Sequence, residues 1–276
     1  MAAVTLAIFV IENQWHAESM LNGRCCARSS GTSAGRLLIA CSYTLRPGGA
    51  YEQTVAMTTA PTAPRLADER ASVEHDELVD EDEWLGETVT GADLSRSFAE
   101  HVRIVGTELR GVTLTAANLH RCTLTDVRLV ECELSGSMFT ESQWLRVEVL
   151  NCRMSGVIVS QSRLRHVRFV EDKLDGADFR IVNGEHLVFD QCAMPDADFY
   201  DARLQSAAFL HCDLRRMHVS GVVARDMRLH GSEVEGLRGA ASLHGASISF
   251  DQVLPLALGL FNELGIKVTE DPDDAS

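Results

Sequence analysis

No apolar run in this chain of 276 residues reaches the roughly 18 residues expected of a membrane-spanning helix. The run Val4 to Ile11 is apolar but short, without a basic leader or a small-residue cleavage site. That argues against a signal peptide and leaves the cytoplasm as the expected location. Basic residues are in deficit: 25 Lys and Arg face 40 Asp and Glu, a formal net charge of −15. Direct nucleic-acid binding, whose electrostatic footprint is basic, is therefore not expected. No G-x-x-x-x-G-K-[ST] loop and no glycine-rich loop opening a helix occurs, so nucleotide binding has no support. The eight cysteines include no C-x-x-C pair, Cys25 and Cys26 being adjacent. No Ser-His-Asp or Cys-His set converges, and the histidines His101, His120, His166, His186, His211, His218, His230 and His244 read as solvated surface. No catalytic residue, cofactor or metal is expected, no membrane contact is implied, and the chain does not read as an enzyme.

The acidity is uneven. Between Asp68 and Glu87 lie ten Asp or Glu and one Arg, a local net of −9, whereas Ala92 to Ala241 carry 21 acids and 18 bases. Residues 1–66 show no sustained period and hold Pro47-Gly48-Gly49 and the Thr/Ala/Pro stretch Thr58 to Pro64. They read as disorder or as a non-native extension, with Met57 as the natural start. Residues 67–91 form an acidic lead-in, in which Glu83-Trp84-Leu85 begin the ordered structure by covering the first coil.

From residue 92 to 241 the chain keeps a period of five. Every fifth residue from Leu94 to Gly239 gives 30 positions, of which all but Ala99, Gly184, Ala224 and Gly239 are large and apolar. A second column two residues earlier, Ala92 to Leu237, is Ala, Ser, Cys, Thr or Val at 25 of 30 positions. Of the 39 charges in the span, only Asp172 lies in either column. A helix needs an apolar period of 3.6 and a strand a period of 2, so neither explains this pattern. A solenoid with square coils does: four five-residue sides per turn, two side chains pointing inward from each. Coils stacked at about 4.8 Å make a tower roughly 35 Å long. Positions 20 apart then stack, placing Leu109, Leu129, Val149, Phe169, Phe189, Phe209 and Leu229 in one ladder and Leu119, Phe139, Val159, Phe179, Phe199 and Val219 in another. On a third side Gly184 leaves a gap that Leu187 is placed to fill. Asp and Asn before the large residue can bond local backbone at the bends, and glycines such as Gly106 and Gly156 tolerate unusual angles at the last position.

Ala92-Asp93-Leu94-Ser95-Arg96, Ala117-Asn118-Leu119-His120-Arg121, Ala177-Asp178-Phe179-Arg180-Ile181 and Ala197-Asp198-Phe199-Tyr200-Asp201 resemble the A-(D/N)-(L/F)-x-x motif of the pentapeptide-repeat family. The resemblance covers a little over half the chain. It implies an all-β fold, a right-handed quadrilateral β-helix. It also implies a link to quinolone-resistance members, which bind DNA gyrase as dimers joined by a C-terminal helix.

Open solenoid ends invite aggregation unless capped. Residues 242–268 supply a cap. Ser249-Phe250-Asp251-Gln252 resembles a capping box, and a helix to about Leu264 comes next, stopped by Gly265. Pro255 shifts its start or kinks it. Phe250, Val253, Leu254, Ala257, Leu258, Phe261 and Leu264 fall on one side, Leu256 and Leu260 on another. One face closes the last coil and the other can meet a second copy, with Val253, Leu254, Leu258, Leu260 and Phe261 as candidate homodimer contacts. Residues 269–276 read as a disordered acidic tail.

Five cysteines, Cys122, Cys132, Cys152, Cys192 and Cys212, lie in the small column and read as core filler. Parallel stacking ill suits disulfide torsion, and a straight ladder is a poor zinc cage. Asp172 interrupts that ladder. It reads as a carboxylate bonded to backbone amides or seated at a local bulge, and Asp172→Ala is expected to keep the fold.

Two functional readings remain. The first is a non-enzymatic scaffold for an unknown protein partner. The alternative, taken from the resemblance, is a DNA mimic that modulates DNA gyrase and confers quinolone tolerance. Duplex DNA carries one negative charge per about 1.7 Å, so a mimic of this length presents on the order of 20 negatives. The four sides of the repeat sum instead to −3, −2, +3 and −1, with Arg146, Arg163 and Arg165 making one side basic.

Overall fold

The computed structural model describes residues 4–11, 14–21, 41–45, 51–55 and 60–267, in two compact units divided after Thr59. In the first unit Val4–Ile11 pairs antiparallel with Gln14–Leu21, and Cys41–Leu45 with Tyr51–Val55. The run Val4–Ile11 is mostly β-branched and aliphatic, a composition that favours strands. Met57 and the tail 269–276 lie outside the described residues.

The second unit is a parallel β-solenoid. Its clearest signature is in the backbone. Every fifth residue from Glu81 to Gly236 has a positive φ, 32 corners in all and hence eight coils, and 22 of the 32 are not glycine. Each corner turns the chain by placing one residue in the left-handed region, which costs an L-residue roughly 1–2 kcal/mol. Asp, Asn and His tolerate it better than most. Ile181, at φ 59°, is the one β-branched residue to occupy a corner.

Between corners the two inward columns face the interior. On two of the four sides the chain runs as eight-residue strands, Thr123–Val130, Gln143–Leu150, Arg163–Val170, Asn183–Asp190 and Arg203–Leu210, paired in parallel at a register of 20. On the other two sides coils pair through single bridges such as Asp93↔Thr113↔Glu133 and Asn118↔Met138↔Ile158. There the corners close as turns, for example Ala177 N donating to Leu174 O at 3.1 Å. Phe169, Phe189 and Phe209 stand one above another, centroids 4.7 and 4.8 Å apart and nearly coplanar. Phe179 and Phe199 stack at 4.9 Å on the adjoining side and meet the first stack edge to face. Gly184 has no room for a side chain, since a Cβ there would sit 2.5 Å from Leu187 Cδ1. Leu187 does fill the gap.

The solenoid begins earlier than residue 92. Trp84 and Val89 are already buried members of the large column, and Glu83–Leu85 and Glu87–Thr90 are already rungs of the sheet. The small column hides this, because Asp82 and Glu87 stand where a small apolar residue is expected. Glu87 is accommodated by His75, whose Nε2 lies 3.0 Å from its carboxylate, and the His75 ring stacks on Trp84 at 4.1 Å. A further strand, Ala71–Val73, pairs with Glu87–Thr90 as the outermost rung.

Residues 60–66 also belong to the tower unit, which corrects their assignment to the N-terminal tail. The Arg65 amide donates to Asp126 Oδ1 at 2.9 Å and the Thr62 amide to His166 Nδ1 at 3.3 Å. These polar corner contacts carry no hydrophobic signature in the sequence.

Candidate interaction surfaces

Buried titratable groups gather on one side of the interior. The small column on one side runs Cys132, Cys152, Asp172, Cys192, Cys212, Ser232, Gln252, all buried. The side chains share one task. Cys152 Sγ, Asp172 Oδ1 and Ser232 Oγ accept from the amides of Cys132, Cys152 and Cys212, at 3.3, 2.6 and 3.0 Å. Each satisfies an amide one coil earlier that would otherwise be buried and unpaired. Cys132 Sγ, Cys212 Sγ and Ser232 Oγ donate to carbonyls 23 residues back, those of Leu109, Phe189 and Phe209, whereas Cys152 and Cys192 donate to the carbonyls of Leu150 and Asp190 two residues back. Asp172 instead uses its second oxygen to accept from the Val170 amide at 3.0 Å. Burial pushes its carboxyl up to about 7, against the two amide bonds that favour the anion. The same desolvation holds the Cys122 thiol up at about 11, so it stays protonated at neutral pH. All five core cysteines are free thiols. Among the described residues no group of three or more His, Cys, Asp or Glu is placed to hold a metal ion. This ladder is a structural device.

The sides of the tower are dominated by ion pairs between neighbouring coils. Arg146 donates to Asp126 through Nε and Nη2, each at 2.6 Å, and holds that carboxyl below the usual carboxylate range. Arg121–Glu141, Arg128–Glu148, Arg165–Glu185 and Arg216–Asp196 repeat the arrangement one coil apart, and Arg180–Asp178 and Arg215–Asp213 do so along the chain. Glu108, almost fully buried, lies among Arg70, Arg110 and Arg128. Carboxylates neutralised in this way do not present a row of bare negative charge.

The C-terminal end differs. A short 3-10 turn, Phe250–Gln252, leads into helix α1, Val253–Glu263. Pro255 therefore falls in the first helical turn, where its missing N–H costs no bond. Gly265, at φ 69°, ends the helix, with Ile266 N returning to Phe261 O at 2.8 Å. The capping box forms, with Ser249 N donating to Gln252 Oε1 at 2.8 Å. Gln252 does more than cap: its Nε2 donates to Leu229 O and Ser232 O and closes the buried ladder. Leu256 packs on the core, Gly259 lies against Leu237 O, and the Glu263 carboxylate accepts from the Gly239, Ala240 and Ala241 amides. Positions 252, 256, 259 and 263 thus form the inner face of the cap. The contacts of Gln252 and Glu263 with the last coil are not readable from the sequence, since a polar residue on an amphipathic helix looks like solvent-facing surface.

The outer face is apolar. Phe250 is 92% exposed, Leu254 68% and Leu258 46%, with Val253 and Leu264 beside them. Of the five residues expected at a contact, Val253, Leu254 and Leu258 are exposed, while Leu260 and Phe261 are half-buried. No helix among the described residues is long and apolar enough to cross a membrane.

The family model "Pentapeptide repeats" matches in eight copies over residues 89–129 and 117–143. Among solved structures, full-length QnrB1, a plasmid-mediated fluoroquinolone resistance protein, is similar at 21% identity with a TM-score of 0.39, covering 71% of this chain and 100% of its own. HetL, a pentapeptide-repeat protein involved in heterocyst differentiation regulation in the cyanobacterium Nostoc, is similar at 18% identity with a TM-score of 0.26, covering 62% of this chain and 90% of its own. No curated protein matches the chain.

Proposed function

Because the chain belongs to the pentapeptide-repeat family, we propose that it works as a non-enzymatic protein-interaction scaffold in the cytoplasm, paired with a second copy through α1. One observation carries this reading: the turn and helix that close the tower keep Phe250, Leu254 and Leu258 exposed. Contiguous apolar surface on an otherwise polar protein marks an interaction site. The partner of a helix at the end of a tower is most economically the same helix of another copy, since twofold contacts are the commonest in oligomers. In the dimer the two towers extend away from the joint and offer long polar sides to a further protein. Sedimentation equilibrium on the full chain is expected to give twice the chain mass at micromolar concentration; a single-chain mass there contradicts the pairing.

The gyrase reading has one feature in its favour, the same C-terminal helix. Against it stand the paired carboxylates along the tower and the basic side around Arg163 and Arg165. A DNA gyrase supercoiling assay, with and without ciprofloxacin, separates the two. The scaffold reading expects neither inhibition of supercoiling nor protection from the drug at micromolar protein. Either effect would favour the gyrase reading.

A further inference from the structure

The segment Ala60 to Leu66 reads Ala-Pro-Thr-Ala-Pro-Arg-Leu. Its two prolines fix φ near −65°, and the alanine before each is pushed to extended backbone. Four of the first five residues are thus predisposed to polyproline II, a helix of three residues per turn and 3.1 Å per residue. Pro61 and Pro64, three apart, are both half-buried, while Ala60, Thr62, Ala63 and Arg65 are exposed. The prolines therefore share the face turned to the tower.

The seat is one corner column of the solenoid: Asp126, Arg146, His166, His186, each with positive φ. Thr62 N donates to His166 and Arg65 N to Asp126, three residues spanning two coils. One polyproline turn rises about 9.3 Å, and two coils rise about 9.6 Å. The two repeats are commensurate, so the segment can offer one amide per turn to an acceptor on every second coil.

We propose that this corner is a docking strip for an extended proline-containing segment, filled by the chain's own residues 60–66, and that His166 works as its release. The Thr62 bond needs a lone pair on His166 Nδ1. A proton on that atom turns the acceptor into a donor facing a donor. It also sets a cation among Arg146 on the coil below, Arg165 beside it in the chain, and His186, stacked on it at 4.7 Å. Glu185 and, two coils below, Asp126 are the acids nearby, and Asp126 is already held by Arg146. Desolvation, then the neighbouring His186 and Arg165, lower the affinity of His166 for that proton. The docked state holds His166 neutral, so docking is complete above the ordinary histidine range and is lost as pH falls through it. Between the undocked pKa and the lowered docked one the docking equilibrium weakens about tenfold per pH unit, and it levels off below the docked pKa. Arg65, on the strap itself, is freed with it.

The test follows the Thr62 and Arg65 amides of the full chain by NMR, with solvent exchange normalised to the intrinsic rate at each pH. In the parent, protection of Thr62 is expected to fall at least fivefold between pH 8 and pH 5. In His166→Asn the side-chain oxygen replaces Nδ1 as acceptor and does not titrate, and asparagine accepts the corner's positive φ; protection is expected to persist at both pH values. In His166→Phe it is expected to be absent at both. Equal protection at pH 8 and pH 5 in the parent overturns the proposal, as does full protection in His166→Phe.

Discussion

The two ends of the tower solve the same problem with different chemistry. At the N-terminal end the first coil is covered by polar and mixed contacts. Arg70 reaches Thr88 and the buried Glu108, His75 lies on Trp84, and the strand Ala71–Val73 adds an outer rung. Of the exposed apolar residues there, Leu85 and Phe98 sit on separate strands and Val79 in the loop before them. At the C-terminal end an amphipathic helix covers the last coil with one face and leaves a second apolar face open. A solenoid edge needs covering whichever way it is done. Covering it with a helix creates a surface that needs covering in its turn, and a second chain can supply that. The proposed contact surface accordingly lies at the C-terminal end of the tower.

The largest expected effect comes from cutting the link between the ends. Phe189→Ala, in the middle of the phenylalanine stack, is expected to cost about 3–5 kcal/mol, read as a lowered urea midpoint. If the ends also begin to melt separately, the transition splits, as quasi-one-dimensional stacking permits. A loss under about 1 kcal/mol would mean the stack is not close-packed.

Asp172, near the middle, gives the next effect. Its folded pKa of about 7 lies above the ordinary aspartate value of 3.8. The neutral acid is the form the fold prefers, so this group's contribution is complete below the unfolded pKa and is lost as pH rises through about 7. Asp172→Cys restores the ladder without an ionising carboxyl. Relative to the parent it is expected to gain on the order of 2–4 kcal/mol at pH 8 and progressively less toward pH 5. A pH-independent difference between the two proteins counts against the burial argument.

The caps themselves can be ranked. Gln252→Ala leaves the Ser232 carbonyl without its side-chain donor and removes one of two donors from the Leu229 carbonyl, and is expected to cost about 1–3 kcal/mol. Arg70→Ala is expected to cost less, about 1 kcal/mol, because Arg110 and Arg128 remain beside Glu108. The reverse order in denaturant melts would show that the N-terminal cover is the stronger. The smallest change is a gain: Ile181→Gly relieves a β-branched corner and is expected to stabilise by about 1 kcal/mol. A loss at this position would mean that half-exposed Ile181 makes packing contacts worth more than the strain.

Most of the tower was legible because it depends on a repeated choice between large, small and polar. Phe169, Phe189 and Phe209 stack where a 20-residue coil puts them, and Leu187 compensates Gly184. Legibility failed where the pattern is carried by single contacts. Trp84 and Val89 extend the large column, but Glu87 breaks the small one and needs His75 to explain it. Glycine at some corners hinted at strained backbone, yet most corners hold other residues, so composition alone could not show that all 32 share one conformation. The candidate contact helix was legible as an amphipathic pattern, but which face turns inward was not. That depends on Gln252 and Glu263 finding backbone partners on the last coil, and no periodicity encodes those.

Light scattering on three full-length proteins, the parent, Leu258→Asp and Leu85→Asp, tests most directly whether one end carries the contact. A doubled mass for the parent and for Leu85→Asp, with a single-chain mass for Leu258→Asp, is the predicted result. An unchanged mass in Leu258→Asp would contradict it.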